Sequence, residues 1–131
     1  MTVVDSSAVI AVLRSEEDAQ VYAEALERIE PLYMSAGTLL EIGIVVLHKK
    51  GPGKLSDMYE LIRFTQIEIV PLSEAHARDA IDAYGRFGKC TRHPAQLNFG
   101  DCFSYALAKA RDEPLLYKGR DFAETDVRSA L

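Results

Sequence analysis

The chain has 131 residues, of which 48% are apolar and 27% charged, enough for one domain with a hydrophobic core and too few for two. A net charge of −5 argues against a protein that coats nucleic acid through a basic surface, but not against an enzyme that handles nucleic acid at one local site. No apolar run reaches the roughly 20 residues that cross a bilayer, and the start, Met1-Thr2 leading into Val3-Val4-Asp5, has no basic stretch or cleavage site, so no signal peptide is expected.

In chain order, apolar β-branched runs alternate with helix-like stretches, the pattern of an α/β domain with a mostly parallel sheet. Val3-Val4 reads as a first strand, with Ser6 or Ser7 capping a helix through Leu13. Ser15 and Asp18 suggest a second helix start, and Ala19 to Ile29 keeps helical spacing until Pro31 stops it. Leu32-Tyr33-Met34 is the next strand, and Ser35 or Thr38 opens a helix through Leu47. Gly51-Pro52-Gly53 predicts a turn. A helix from about Ser56 to Phe64 leads into the strand Ile67-Glu68-Ile69-Val70, closed by Pro71. Ser73 caps a helix to about Tyr84; Gly85 to Gln96, basic and irregular, reads as an exposed loop. Asn98 or Gly100 opens a helix to about Arg111, Leu115-Leu116-Tyr117 is a last core strand, and the tail from Phe122 allows a short helix and an edge strand. Residues 1–131 are expected to form one domain. The two cysteines, Cys90 and Cys102, suggest neither a disulfide framework nor a zinc site, and are expected to be reduced in the cytoplasm.

Four acids stand out by position. Asp5 follows the first strand, where open α/β sheets place their ligands, although Asp is also a favoured helix cap. Glu41 lies in a helix that is apolar nearly all round, where a lone carboxylate must take up a proton or find a cation; a capping box with Thr38 is the other explanation. Asp101, three residues after Asn98, fits either a helix start or a site, and Asp121 follows the last core strand as either a site residue or a solvated turn residue. Carboxylates gathered about 5 Å apart repel by roughly 3 kcal/mol per pair at an effective dielectric near 20. Such a cluster needs a hard divalent ion, Mg²⁺ or Mn²⁺. His48, His76 and His93 are scattered, which disfavours zinc.

Val3-Val4-Asp5-Ser6-Ser7-Ala8-Val9-Ile10-Ala11 resembles the opening of PIN domains, in particular the VapC-type toxins of bacterial toxin–antitoxin pairs. Met34-Ser35-Ala36-Gly37-Thr38-Leu39-Leu40-Glu41 resembles their second acidic motif, Leu97-Asn98-Phe99-Gly100-Asp101-Cys102 and the residues after it the third, and Leu115 to Phe122 the fourth. The resemblance spans the chain, in order and at family-like spacing. It implies a three-layer α/β/α fold around a mostly parallel sheet, Mg²⁺- or Mn²⁺-dependent endonucleolytic cleavage of RNA, and inhibition by a cognate antitoxin. Homodimers are common in that family, so a homodimer is expected; no membrane association is expected from the short apolar runs. By resemblance Asp5, Glu41, Asp101 and Asp121 are the metal-site carboxylates, with Asp5 and Asp101 carrying the principal ion; Ser7 matches a hydroxyl position, and Asp126 is an accessory acid or a plain tail residue.

Basic residues are needed to draw RNA to an acidic pocket. Arg86, Lys89, Arg92 and His93, Lys118 and Arg120, and Lys49, Lys50 and Lys54 are the candidates, each also explicable as a solvated charge. Phe87 or Tyr105 could stack on a base or belong to the core. Two other readings are a catalytically silent PIN-fold scaffold and a receiver-type signalling domain. The second is disfavoured because no Asp directly follows Leu32-Tyr33-Met34 or Ile67 to Val70.

Overall fold

The computed structural model of the chain describes residues 1–49 and 52–131, with Pro52 and Gly53 described through their backbone. Short strands alternate with helices in the order β1 (Thr2–Val4), α1 (Ser6–Leu13), α2 (Ala19–Arg28), β2 (Leu32–Ser35) and α3 (Ala36–Lys49). There follow α4 (Pro52–Phe64), β3 (Glu68–Val70), α5 (Glu74–Phe87), α6 (Phe99–Arg111), β4 (Leu115–Leu116) and a short 3-10 helix, Phe122–Glu124. All four strands are parallel, in the order β3-β2-β1-β4.

Successive strand side chains point to opposite faces, and here both faces are covered. Val4, Leu32, Met34 and Leu116 pack with α1 to α4 through Ala8, Val9, Leu26, Ile42 and Met58. Val3, Leu115 and the half-buried Tyr33 and Val70 pack with α5 and α6 through Ala83, Ala106 and Leu107. Burial on both sides explains why β1 and β4 read as apolar runs rather than as alternation, whereas β3 carries the exposed Glu68. Each wholly buried Val or Leu contributes about 1.5–3 kcal/mol, so the layer order α/β/α follows from the strands' composition. Among the described residues no helix is long and apolar enough to cross a membrane.

Several boundaries differ from the sequence reading. Ser15 does not start α2; its φ of 51° ends the turn after α1, and Asp18 precedes α2 without a side-chain cap bond. Of the expected turn at Gly51-Pro52-Gly53, Gly51 lies outside the described residues, while Pro52 opens α4, a position where the missing proline N–H costs nothing. Helix α5 runs on to Phe87, and the following segment is not simply exposed: Ala95 and Leu97 are fully buried, and Leu97 bridges Gly88. The tail makes both features expected of it, the 3-10 helix and a bridge from Ser129 to Leu115.

Because the strands are parallel, the ends of β1, β2 and β4 open on one edge. The Asp5 amide donates to the Leu116 carbonyl (3.0 Å), and the Lys118 amide donates to the Ser7 hydroxyl (2.9 Å), tying the segments after β1 and β4 together.

Candidate active site

At that edge one cleft is lined by Asp5, Glu41, Asp101 and Asp121, with Ser6, Ser7, Asn98 and Lys118 between them. Four acids spread over 116 positions of sequence thus line one cleft. Each has a local cause. Asp5 is the N-cap of α1, its Oδ2 accepting from the Ser7 amide (3.0 Å) and hydroxyl (2.6 Å). Its Oδ1 accepts from the Ser104 hydroxyl of α6 at 2.5 Å. Asp5 therefore both caps α1 and lines the cleft. Asp101 closes a capping box: its amide donates to Asn98 Oδ1 (2.9 Å), and its Oδ2 accepts from the Asn98 amide (3.0 Å). Asp121 is exposed at the cleft's rim, in the loop after β4.

Glu41 decides between its two explanations. Thr38 lies inside α3, and its hydroxyl meets Ser104 at 3.2 Å, so the capping box with Glu41 does not form. Glu41 Oε1 is buried with no hydrogen-bond donor among the described residues. Its other oxygen is pressed against the first turn of α6: a Cβ on Gly100 would lie 1.7 Å from Glu41 Oε2.

The charges are uncomfortable. Burial pushes the Asp5 carboxyl up, against the pull of hydrogen bonds from Ser104 and Ser7 and a weaker one from the Ser6 amide. Burial likewise raises Glu41, partly offset by the Ser6 hydroxyl, with the Asp5 charge adding to the rise. Asp101 is pushed up to about 7, first by burial and then, against the Asn98 amide, by the charges of Asp5, Asp121 and Glu41. Like charges that raise one another are close neighbours, and a cation among them would oppose each of these rises. The side chains' ligating atoms are all oxygens, the set that suits Mg²⁺ or Mn²⁺, and Glu41 Oε1 is a buried oxygen that no donor serves. Among the described residues no three acidic, histidine or cysteine side chains are already drawn in to a common chelating point; the oxygens of Asp5 and Asp101 are partly held by hydroxyls and amides.

Other expected contributors fall elsewhere. Asp126 is not in the cleft: it accepts from the Tyr105 hydroxyl and pairs with Lys109 (3.2 Å), which holds its carboxyl below the usual range. Tyr105 is buried and cannot stack on a base; Phe87 packs edge-on with His93 and against Tyr105. Arg86 is engaged by Asp82 (3.0 Å), the Tyr105 hydroxyl and the Phe87 ring. Lys118 reaches the cleft but its ammonium is shared by Glu16 (2.6 Å) and Asp18 (2.8 Å). Lys54 pairs with Asp57, and Lys50 lies outside the described residues. Lys89, Arg92 and Arg120 are exposed and form no ion pair among the described residues. Sequence reasoning missed Ser104, Glu16 and Gly100 as parts of the site. Of these only Ser104 left a signal, standing one helical turn after Asp101.

The family model of the PIN domain matches residues 2–128. The chain belongs to the PIN-domain family. The receiver-type reading falls with that match. A VapC ribonuclease of Mycobacterium bovis is 48% identical to this PIN domain over 129 residues, covering 98% of this chain and 97% of that protein. Among solved structures, Mycobacterium tuberculosis VapC20, a sarcin-ricin-loop-cleaving toxin, has a TM-score of 0.79 at 14% identity, covering 97% of this chain and 96% of that one. A toxin–antitoxin complex from Klebsiella pneumoniae has a TM-score of 0.67 at 18% identity, covering 94% and 91%. These structural likenesses speak for the PIN fold.

Proposed function

We propose that the chain is a VapC-type toxin, an endoribonuclease that hydrolyses RNA phosphodiester bonds with Mg²⁺ or Mn²⁺ and is restrained by a cognate antitoxin. Its near-full-length likeness to a VapC ribonuclease supports the nuclease assignment. The observation that carries the metal-dependent site is the gathering of four carboxylates in one cleft, one of them with a buried oxygen that no donor serves. Asp5 and Asp101 hold the principal ion, and Glu41 and Asp121 complete its surroundings. A divalent ion held there would supply charge to neutralise phosphate oxygens and acidify a water for attack.

The chain's own residues supply the rest. Ser7 and Ser104 hold Asp5 in place, Asn98 holds Asp101, and the first turn of α6 holds Glu41. Arg120, Lys89 and Arg92 carry exposed charge available to RNA phosphates. Lys118 is a poorer phosphate contact, since Glu16 and Asp18 compete for it. The enzyme works in the cytoplasm. An antitoxin and a second copy of the chain are its protein partners, and the exposed apolar side chains Leu40, Ile81 and Phe99 are available to them.

The test is cleavage of RNA by purified protein with Mn²⁺, with EDTA, and in the variants Asp5→Asn and Asp101→Asn. Loss of a residue that merely supports a metal ligand costs about 10–100-fold, so loss of a ligand is expected to cost at least the upper end of that range. Unchanged cleavage in both variants would identify a contaminating nuclease, and no metal-dependent cleavage by the unaltered protein would favour the silent scaffold.

A further inference from the structure

The Asp5 carboxylate offers about four lone-pair positions, and three hydrogen bonds of normal geometry take three of them, the Ser6 amide being only a weaker neighbour. Oδ2 accepts twice from Ser7, and Oδ1 accepts once from Ser104. One lone pair of Oδ1 is left. Ser104 comes from α6, 99 residues along the chain, and is fully buried, as is Thr38, whose hydroxyl stands 3.2 Å behind it. A hydroxyl has a single proton to give. That of Ser104 goes to Asp5, so at the contact between Thr38 and Ser104 the donor is Thr38. The hydroxyls therefore form a one-way chain from Thr38 through Ser104 to Asp5.

Packing does not account for this chain. Alanine and valine would occupy nearly the same space with no polar atom to satisfy, whereas a buried hydroxyl is costly unless it is bonded. Nor does helix capping account for it, since the cap of α1 is made by Oδ2 with Ser7. Ser7 cannot take over: its hydroxyl proton is directed at Oδ2, and its own oxygen is held by the Lys118 amide at 2.9 Å.

We infer that Ser104 is a positioning residue that occupies one side of Asp5 Oδ1 and so makes Asp5 a one-oxygen ligand of the divalent ion, through the remaining lone pair of that atom. Thr38 acts behind it, by fixing which way the Ser104 proton points. The inference rests on the metal-site reading above and narrows it to a single atom.

The experiment is a titration with Mn²⁺ alone, free Mn²⁺ being followed by its paramagnetic signal, on the unaltered protein, Ser104→Ala and Thr38→Val. Melting curves without metal accompany it. Ser104→Ala is expected to weaken Mn²⁺ binding by about 10–100-fold, the usual effect of losing a group that orients a ligand, and Thr38→Val by a smaller factor. A hydroxyl with a purely structural role would lower the melting temperature and leave the Mn²⁺ affinity where it was. Ser104→Ala protein that binds Mn²⁺ as tightly as the unaltered chain overturns the inference and leaves the metal site standing. Unaltered protein that binds no Mn²⁺ overturns the metal-site reading, and the inference with it. If Ser104→Ala does not fold, unchanged Mn²⁺ affinity in Thr38→Val overturns the inference instead.

Discussion

Replacing Gly100 by alanine separates the stability of this fold from the working of its cleft. The new methyl carbon would stand 1.7 Å from Glu41 Oε2 and 2.3 Å from its Cδ. A carbon and an oxygen settle at about 3.3 Å or more, so the carboxylate must retreat by roughly 1.6 Å. The fold can absorb this, because the atoms in the way are the far end of a flexible side chain. Overpacking costs about 1–3 kcal/mol, while replacing glycine within a helix returns up to about 1 kcal/mol. The net loss is then about 0–3 kcal/mol, a fall of several degrees in melting temperature for a domain of this size. The cleft cannot absorb it, since a misplacement of about 1 Å can cost around 100-fold in rate. Gly85→Ala is the matched control: its methyl meets nothing within 4 Å on the exposed side of α5, so it should leave cleavage unchanged and stability equal or slightly improved. The assay is kcat/KM on a labelled RNA with Mn²⁺, beside thermal melting of both variants. A stable Gly100→Ala protein with undiminished cleavage would refute the claim that α6 holds Glu41 in a working position.

Two further outcomes follow from the crowded charges. Asp101, at about 7 in the folded protein against 3.8 for a free carboxyl, favours its neutral form when folded; its stabilising effect is complete below about pH 4 and lost as pH rises through 7. Metal-free protein should therefore melt at a lower temperature at pH 8 than at pH 5, Asp101→Asn should flatten that difference, and an Asp101→Asn profile as steep as the unaltered one would contradict the assignment. Glu41→Gln removes a charge raised by burial and by Asp5. It should raise the metal-free melting temperature by a few degrees, about 1 kcal/mol at this chain length, while lowering metal-dependent cleavage; a lower melting temperature would show that the ionised form is satisfied after all.

The acids at strand and helix starts were legible because their place follows from the chain's local order. Asp5 ends an apolar strand, and Asp101 stands three residues after a capping Asn98, so parallel pairing alone carries both to one edge. What was not legible is long-range. Thr38 looked like a cap for Glu41, yet its hydroxyl is claimed by Ser104, 66 positions away. Lys118 looked free for RNA, yet Glu16 and Asp18 hold it from about 100 positions away. Tyr105 differs in kind: its helical spacing already suggested core, and packing of α6 on α5 makes it so. Gly51-Pro52-Gly53 misled because proline serves a turn and the first position of a helix equally well.

The central claim is that the acids of this cleft share one divalent ion, and crystals soaked in Mn²⁺ test it by anomalous scattering. The account predicts a peak in the cleft about 2.1 Å from oxygens of Asp5 and Asp101, with Glu41 and Asp121 around it. Peaks confined to other acids, with none between Asp5 and Asp101, would contradict it.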